Sequence, residues 1–89
     1  MLLGMSVSAF VLITLHNTQT SQKTTDNFPN NLKKINGIDS VYEVEDKNSP
    51  YNIIAKITTG SLRSLYNIIQ GNIKKLPGVK ETTTMIILD

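Results

Sequence analysis

The chain contains no cysteine and no tryptophan, and its 89 residues include a single histidine, His16. Without cysteine there can be no disulfide staple and no thiolate metal site. One histidine excludes a zinc or haem centre built on several imidazoles. Charge is also sparse: 18% of residues are charged, and nine Lys+Arg against seven Asp+Glu leave a net +2. Aromatic residues make up 6%, and the two lysine pairs, Lys33-Lys34 and Lys74-Lys75, stand apart. A basic stripe interleaved with aromatics is therefore missing, which argues against direct nucleic-acid binding.

What is present fits one small globular domain. Hydrophobic residues are 39% of the chain, enough for a core of two thin layers and too many for a disordered segment. A domain of this size buries roughly two-thirds of its unfolded surface, so stability rests on packing or on association with other chains. The opening stretch, MLLGMSVSAFVLITL, has no early positive charge, the first lysine being Lys23. It is also shorter than the roughly 20 apolar residues of a membrane span. It reads as a buried strand and not as a signal or anchor, and the expected location is the cytoplasm. Residues 1–7 are expected to be a lead-in, with the domain over 8–89.

Ala9–Leu15 is a continuous apolar run of strand length, the mark of a central strand covered on both faces. A polar stretch, 16–27, follows, with Thr20, Ser21 and Asp26 as cap residues. Phe28, Leu32 and Ile35 then recur at helical spacing. Pro29 is tolerated in a first turn and costs about 3 kcal/mol inside a helix. The regular part of this helix is therefore placed from near Pro29, with an irregular or helical turn before it, and Gly37 ends it. Ile38–Glu45 reads as a strand, 46–50 as a turn, and Tyr51–Ile57 as a second apolar strand, so the pair forms a hairpin. Thr59-Gly60-Ser61 caps a second helix whose face carries Leu62, Leu65, Ile69, Ile73 and Leu76. Gly71 weakens that helix by about 1 kcal/mol, and Pro77-Gly78 stops it. Val79–Leu88 is the last strand.

The order is β-α-β-β-α-β. A weak internal repeat supports it: KKINGI at 33–38 matches KKLPGV at 74–79, and the same offset carries Leu32 onto Ile73 and Phe10 onto Tyr51. The expected fold class is α+β, a ferredoxin-like sandwich with an antiparallel four-stranded sheet and both helices on one face. The apolar runs fall on the two central strands. Such a plan leaves the second sheet face apolar and open, so face-to-face association into a homodimer is expected. A charge on that face, with Ile13→Lys as the example, should break it.

No catalytic constellation is present. His16 has no acid beside it, and no serine lies in a nucleophile turn. Glu43, Glu45 and Asp46 read as a solvated edge, not as a magnesium site. There is no glycine-rich phosphate loop. The lysine pairs complement helix dipoles. No cofactor and no metal are expected, and the chain is not read as an enzyme. Thr82-Thr83-Thr84 opens the last strand. Strand propensity explains threonines there, but the alternate hydroxyls of Thr82 and Thr84 share a face and could hydrogen-bond a small polar ligand.

The segments AFVLITL, LKKINGIDSVYEV, YNIIAKI and LYNIIQGNIKKLPGVKETTTMIIL resemble the effector-binding (RAM) domain of Lrp/AsnC-type transcription regulators over residues 9–88. The strongest signature is the ending, Ile73, Gly78-Val79 and Thr82-x-Thr84 before an apolar strand. The second is Tyr51-Asn52-Ile53-Ile54. The resemblance implies sheet-mediated dimers, assembly into larger rings and a small-molecule effector, usually an amino acid, bound between neighbouring dimers. It implies effector contacts from Tyr51 and Asn52 beside the turn and from Thr82 and Thr84 at the last strand. It also implies a stand-alone member, because no room for a helix-turn-helix precedes residue 8; such members sense a ligand alone or join full-length Lrp/AsnC regulators in mixed assemblies. Two departures bear on the pocket: the 46–50 turn lacks glycine, and Asn52 stands where the family usually has aspartate. They keep a second reading open, a ligand-blind interaction module that co-assembles with regulators. A small ferredoxin-like enzyme, usually lined by histidine, tryptophan or acids, is disfavoured by the composition.

Overall fold

The two apolar runs form the centre of one sheet. In a computed structural model, which describes residues 6–16, 22–46 and 48–87 and the α1 side chains from Asn27 onward, strand β1 (Val7–Leu15) pairs antiparallel with β3 (Ile53–Thr59). Strand β2 (Ile38–Glu43) flanks β3, and β4 (Val79–Ile87) flanks β1. The strand order is β2-β3-β1-β4. Helix α1 (Gln22–Lys33) links β1 to β2, and α2 (Leu62–Ile68), continued by a π-helical turn (Ile69–Ile73), links β3 to β4. This is the ferredoxin-like β-α-β-β-α-β sandwich expected from the pattern.

Alternation along the strands sets the layers. Ala9, Val11 and Ile13 of β1 and Ile53, Ala55 and Ile57 of β3 are buried in one core with Phe28 and Leu32 of α1, Leu65 of α2, and Ile69 and Ile73 of the π turn. Both helices therefore cover the same sheet face. The other face carries Phe10, Leu12 and Ile54, half-buried, with Tyr42 and Met85 exposed. These residues are neighbours across the sheet: Leu12 stands opposite Ile54, Ile54 opposite Tyr42, and Phe10 opposite Met85.

Ile13 is thus not on the open face, and the substitution suggested above has to move. The Ala9–Leu15 run is apolar at every position except Thr14, so composition alone cannot tell its two faces apart. Pairing decides it: Ile13 stands opposite Ile53 under the helices. Leu12 and Phe10 are the open-face positions.

Helix α1 begins well before Pro29, which is its eighth residue. The helix accommodates a proline that was expected near its start, and Asp26, expected as a cap, lies within it. Thr20 and Ser21 lie outside the described residues, as do residues 1–5. Phe28 and Leu32, one turn apart, are fully packed, and this burial offsets the lost backbone bond. The helix 2 cap is as expected: the Ser64 N–H donates to Ser61 Oγ at 3.1 Å.

The hairpin loop is longer than the sequence suggests, because β2 is two residues shorter and β3, of the expected length, starts two residues later. β2 ends at Glu43 and β3 starts at Ile53. Asp46 turns the chain, its Oδ1 accepting from Asn48 N–H at 2.9 Å and its carbonyl from Ser49 N–H at 3.0 Å. Lys47 lies outside the described residues.

The repeat holds where helix meets strand. Among the described residues Gly37 and Gly78 are the two glycines with positive φ, 100° and 96°, and each releases the chain from a helix into a strand. It does not extend to the first strands. The buried triplet at 9, 11 and 13 corresponds to that at 53, 55 and 57, an offset of 44 where the helix ends have 41. The pairing of Phe10 with Tyr51 is therefore off by three residues.

Candidate functional site

β4 is an edge strand, and α2 leaves its helix-side surface uncovered. Thr82, Thr84 and Ile86 lie opposite Ile13, Val11 and Ala9, so by alternation they face the helix side. Together with α2 they form an open groove of about 300 Å³. The helix contributes Leu62, Tyr66, Gln70 and Lys74, and Leu65 and Ile69 line the groove beneath them. Leu62, Tyr66 and Ile86 keep 57%, 64% and 47% of their surface exposed, so apolar side chains stand at the groove with no covering layer among the described residues.

The π turn keeps the helical wall straight. In an α-helix each residue advances about 100°, so residues four apart drift by about 40° around the axis. In the π turn Lys74 N–H donates to the Ile69 carbonyl at 2.9 Å, a five-residue bond. The wider turn winds less per residue and cancels the drift. Ile69 and Ile73 both stay in the core, and Gln70 and Lys74 both stay on the groove. Gly71, where an added Cβ would meet nothing within 4 Å, sits in this turn.

The groove is amphipathic. Lys74 supplies a positive charge, Thr82, Thr84 and Tyr66 supply hydroxyls, and Gln70 an amide. Among the described residues none that lines it is acidic. A neighbouring recess of about 350 Å³ shares Lys74 and Thr82 and adds Val79, Lys80 and Glu81.

Thr82 and Thr84 thus share one face and one groove. Tyr51 and Asn52 lie elsewhere in the same chain. Asn52 precedes Ile53, Ile53 pairs with Ile13, and Ile13 pairs with Thr82. The two pairs of residues are therefore at the same end of the sheet with β1 between them, about 10 Å apart at two strand spacings. Asn52 has a structural role there. Its Oδ1 accepts from Leu15 N–H at 2.8 Å, its own N–H donates to the Ile13 carbonyl at 2.8 Å, and its carbonyl accepts from Val44 N–H at 2.9 Å. The side chain extends the β1–β3 ladder beyond the strand. Tyr51 N–H donates to Ser49 Oγ at 3.0 Å, and Thr14 Oγ1 donates to the Pro50 carbonyl at 2.8 Å, so the turn is tied to the end of β1.

The remaining polar candidates stay dispersed. The His16 side chain is exposed, and its backbone N–H donates to the Gly78 carbonyl at 2.8 Å. Among the described residues no group of three His, Asp or Glu could hold a metal. Glu43, Glu45 and Asp46 are exposed. No helix among the described residues is long and apolar enough to cross a membrane.

The family model of the Lrp/AsnC ligand binding domain matches residues 8–89. The chain belongs to this family. Solved structures share the fold. A transcriptional regulator of Neisseria meningitidis in complex with L-methionine superposes with a TM-score of 0.77 at 10% identity, covering 93% of this chain and 50% of that one. AsnC of E. coli gives 0.73 at 19% identity, covering 93% and 51%. A hypothetical protein of Pyrococcus horikoshii gives 0.74 at 27% identity, covering 92% and 89%. The Lrp/AsnC domain here spans about half the length of the Neisseria regulator and of AsnC. No curated protein sequence matches.

The sequence reading missed the helical half of the groove. Leu62, Tyr66, Gln70 and Lys74 recur every four residues, a stripe beside the core stripe of Leu65, Ile69 and Ile73. Lys74 was read as a dipole complement and Tyr66 not at all. An apolar or aromatic residue at each of two exposed stripe positions was the available signal.

Proposed function

We propose that this chain is the effector-binding and oligomerisation module of Lrp/AsnC-type transcription regulation, with an amino acid as effector. The single observation that carries this is the α2–β4 groove: a domain of the ligand-binding family presents Thr82 and Thr84 side by side on an open, partly apolar cleft. The structural neighbours include transcriptional regulators, one of them in complex with L-methionine, which supports a regulatory role and not a catalytic one. Tyr51 and Asn52 reach the effector from a second copy, since within one chain β1 separates them from the threonines. Copies pair through the open sheet face into a homodimer and stack into a higher oligomer. Full-length Lrp/AsnC regulators join it in mixed assemblies, in the cytoplasm, without a cofactor, a metal or a membrane.

The mechanism is linkage. An effector held where subunits meet stabilises the assembly that forms the site, in proportion to its differential affinity for that state. A thermal-shift screen against the twenty amino acids at millimolar concentration tests it. A ligand at 100 times its Kd adds about 2.7 kcal/mol, which raises Tm by about 4–8 °C per kcal/mol. Selective shifts that disappear in Thr82→Val and Thr84→Val, with unliganded Tm retained, are the expected result. A flat panel would sink the sensor reading.

One observation favours the second reading, a ligand-blind module. The Asn52 side-chain oxygen already accepts from Leu15 N–H, and this residue carries no charge to pair with an effector's ammonium. A flat panel together with co-purification of a full-length Lrp/AsnC regulator is the outcome that reading expects.

A further inference from the structure

The α2–β4 groove differs from one end to the other. Strands β3 and β4 both run antiparallel to β1, so the helix that links them runs back against β4. Its late turns stand at the start of β4 and its first turn at the end. Lys74 and Thr82 line both the groove and the adjoining recess, so the two spaces meet between them. Lys80 and Glu81 line the recess as well, which gives the junction two ammonium groups to one carboxylate. Ile86 stands four residues along β4 from Thr82, about 13 Å at the rise of a strand. Tyr66 and Leu62 stand roughly two and three turns back from Lys74. All three line the groove and are exposed.

The groove therefore has a cationic end and an apolar end. A carboxylate at the junction takes a charge-assisted hydrogen bond from the Lys74 ammonium and a second from the Thr82 hydroxyl. The hydroxyl oxygens of Thr84 and Tyr66 and the amide oxygen of Gln70 line the groove beyond it, and each can accept from an ammonium. A side chain that continues in the same direction lies on Tyr66, Leu62 and Ile86 and takes their apolar surface out of water. A few placed polar groups fix orientation in such a site, and the apolar wall supplies the rest. The π turn is what holds Lys74 on this wall, since its five-residue bond to Ile69 cancels the helical drift.

We propose that Lys74 is the specificity-determining residue of the groove: it fixes the effector's carboxylate at the Thr82 end, so that the side chain runs along β4 toward Ile86 and the site selects amino acids by the length of an apolar side chain. This rests on the reading of Thr82 and Thr84 as effector contacts and adds to it an orientation and a ligand class.

The test is isothermal titration of the full chain with L-alanine, L-norleucine and L-norleucine amide, which differ only in three methylenes or in the carboxylate charge. Norleucine is expected to bind about tenfold or more tightly than alanine, from the methylenes it lays on the wall. The amide is expected to bind about tenfold or more weakly than the acid, the loss of a charge-assisted bond. Lys74→Gln is expected to weaken the acid and erase its advantage over the amide, and Lys74→Arg to keep that advantage. Tyr66→Ala is expected to weaken norleucine more than alanine. Lys74 and Tyr66 are exposed, and an unchanged unliganded Tm shows that their substitution leaves the fold intact. An acid-over-amide preference that survives Lys74→Gln, or no such preference in the parent chain, overturns the inference and leaves the threonine site standing. Equal binding of alanine and norleucine overturns it as well. Selective Tm shifts with other amino acids while norleucine gives no heat overturn this inference alone. Silence of both the titration and the twenty-amino-acid screen overturns the effector reading with it.

Discussion

Gly37 shows how much a single residue controls at a helix-to-strand junction. Its φ of +100° is a backbone region that side chains with a Cβ rarely adopt, and an added Cβ would sit 2.7 Å from Ile68 Cδ1. Gly37→Ala is therefore expected to destabilise the domain by about 1–3 kcal/mol, chiefly from backbone strain, the tip of the Ile68 side chain being free to shift. Urea denaturation with an unchanged m-value would show it. The sequence flagged this glycine as a helix stop, and its partner Gly78 by the 41-residue repeat, because glycine past a last turn has one common explanation. The role of Asn52 was not legible. An asparagine beside a turn is compatible with a ligand contact and with a ladder bond, and the bond from Leu15 N–H appears only once β1 packs against β3. Thr82 and Thr84 were legible as a pair because strand period alone puts them on one face. Which face that is depends on β4 pairing with β1.

Helix α2 is short, seven residues before the π turn, so its start matters more than in a long helix. Ser61→Ala removes the bond from Ser64 N–H and is expected to cost about 1 kcal/mol, read as a fall in Tm of about 4–8 °C. Because α2 forms one wall of the groove, the same variant should also weaken effector binding, without touching any lining residue. The existence and buried face of this helix were plain from Leu65, Ile69 and Ile73, whereas Leu62, read onto the same face, is exposed at the groove. The π turn was not, since a five-residue hydrogen bond leaves no compositional mark beyond Gly71. In α1 the opposite error occurs: Pro29 reads as a helix start by its local cost, and the burial of Phe28 and Leu32 overrides that local preference.

At the scale of the molecule, the proposed homodimer rests on the open sheet face. Among the described residues no helix lies over Phe10, Leu12 and Ile54, and Tyr42 and Met85 are exposed beside them. A contiguous apolar surface of this kind marks an association site. Leu12→Lys is expected to shift the protein toward monomer in light scattering at micromolar concentration while the circular dichroism spectrum of the monomer stays native. Ile13→Lys, one position along, is expected to unfold the chain instead, because it places an unpaired charge in the core. A Leu12→Lys protein that still runs as a dimer would show that copies meet by another surface.

The sequence by itself determined the element order, the two central strands, both glycine stops and the pairing of Thr82 with Thr84. These follow from periodicity and from residue types whose backbone preferences act locally. Tertiary structure decided which face of each strand is buried, because a run that is apolar at nearly every position has no parity to read until a partner strand supplies it. It also decided that a proline sits inside α1, that Asn52 completes a ladder, and that Tyr66, Gln70 and Lys74 join the threonines in one groove. Those outcomes depend on contacts between segments far apart in the chain, and no local preference encodes them.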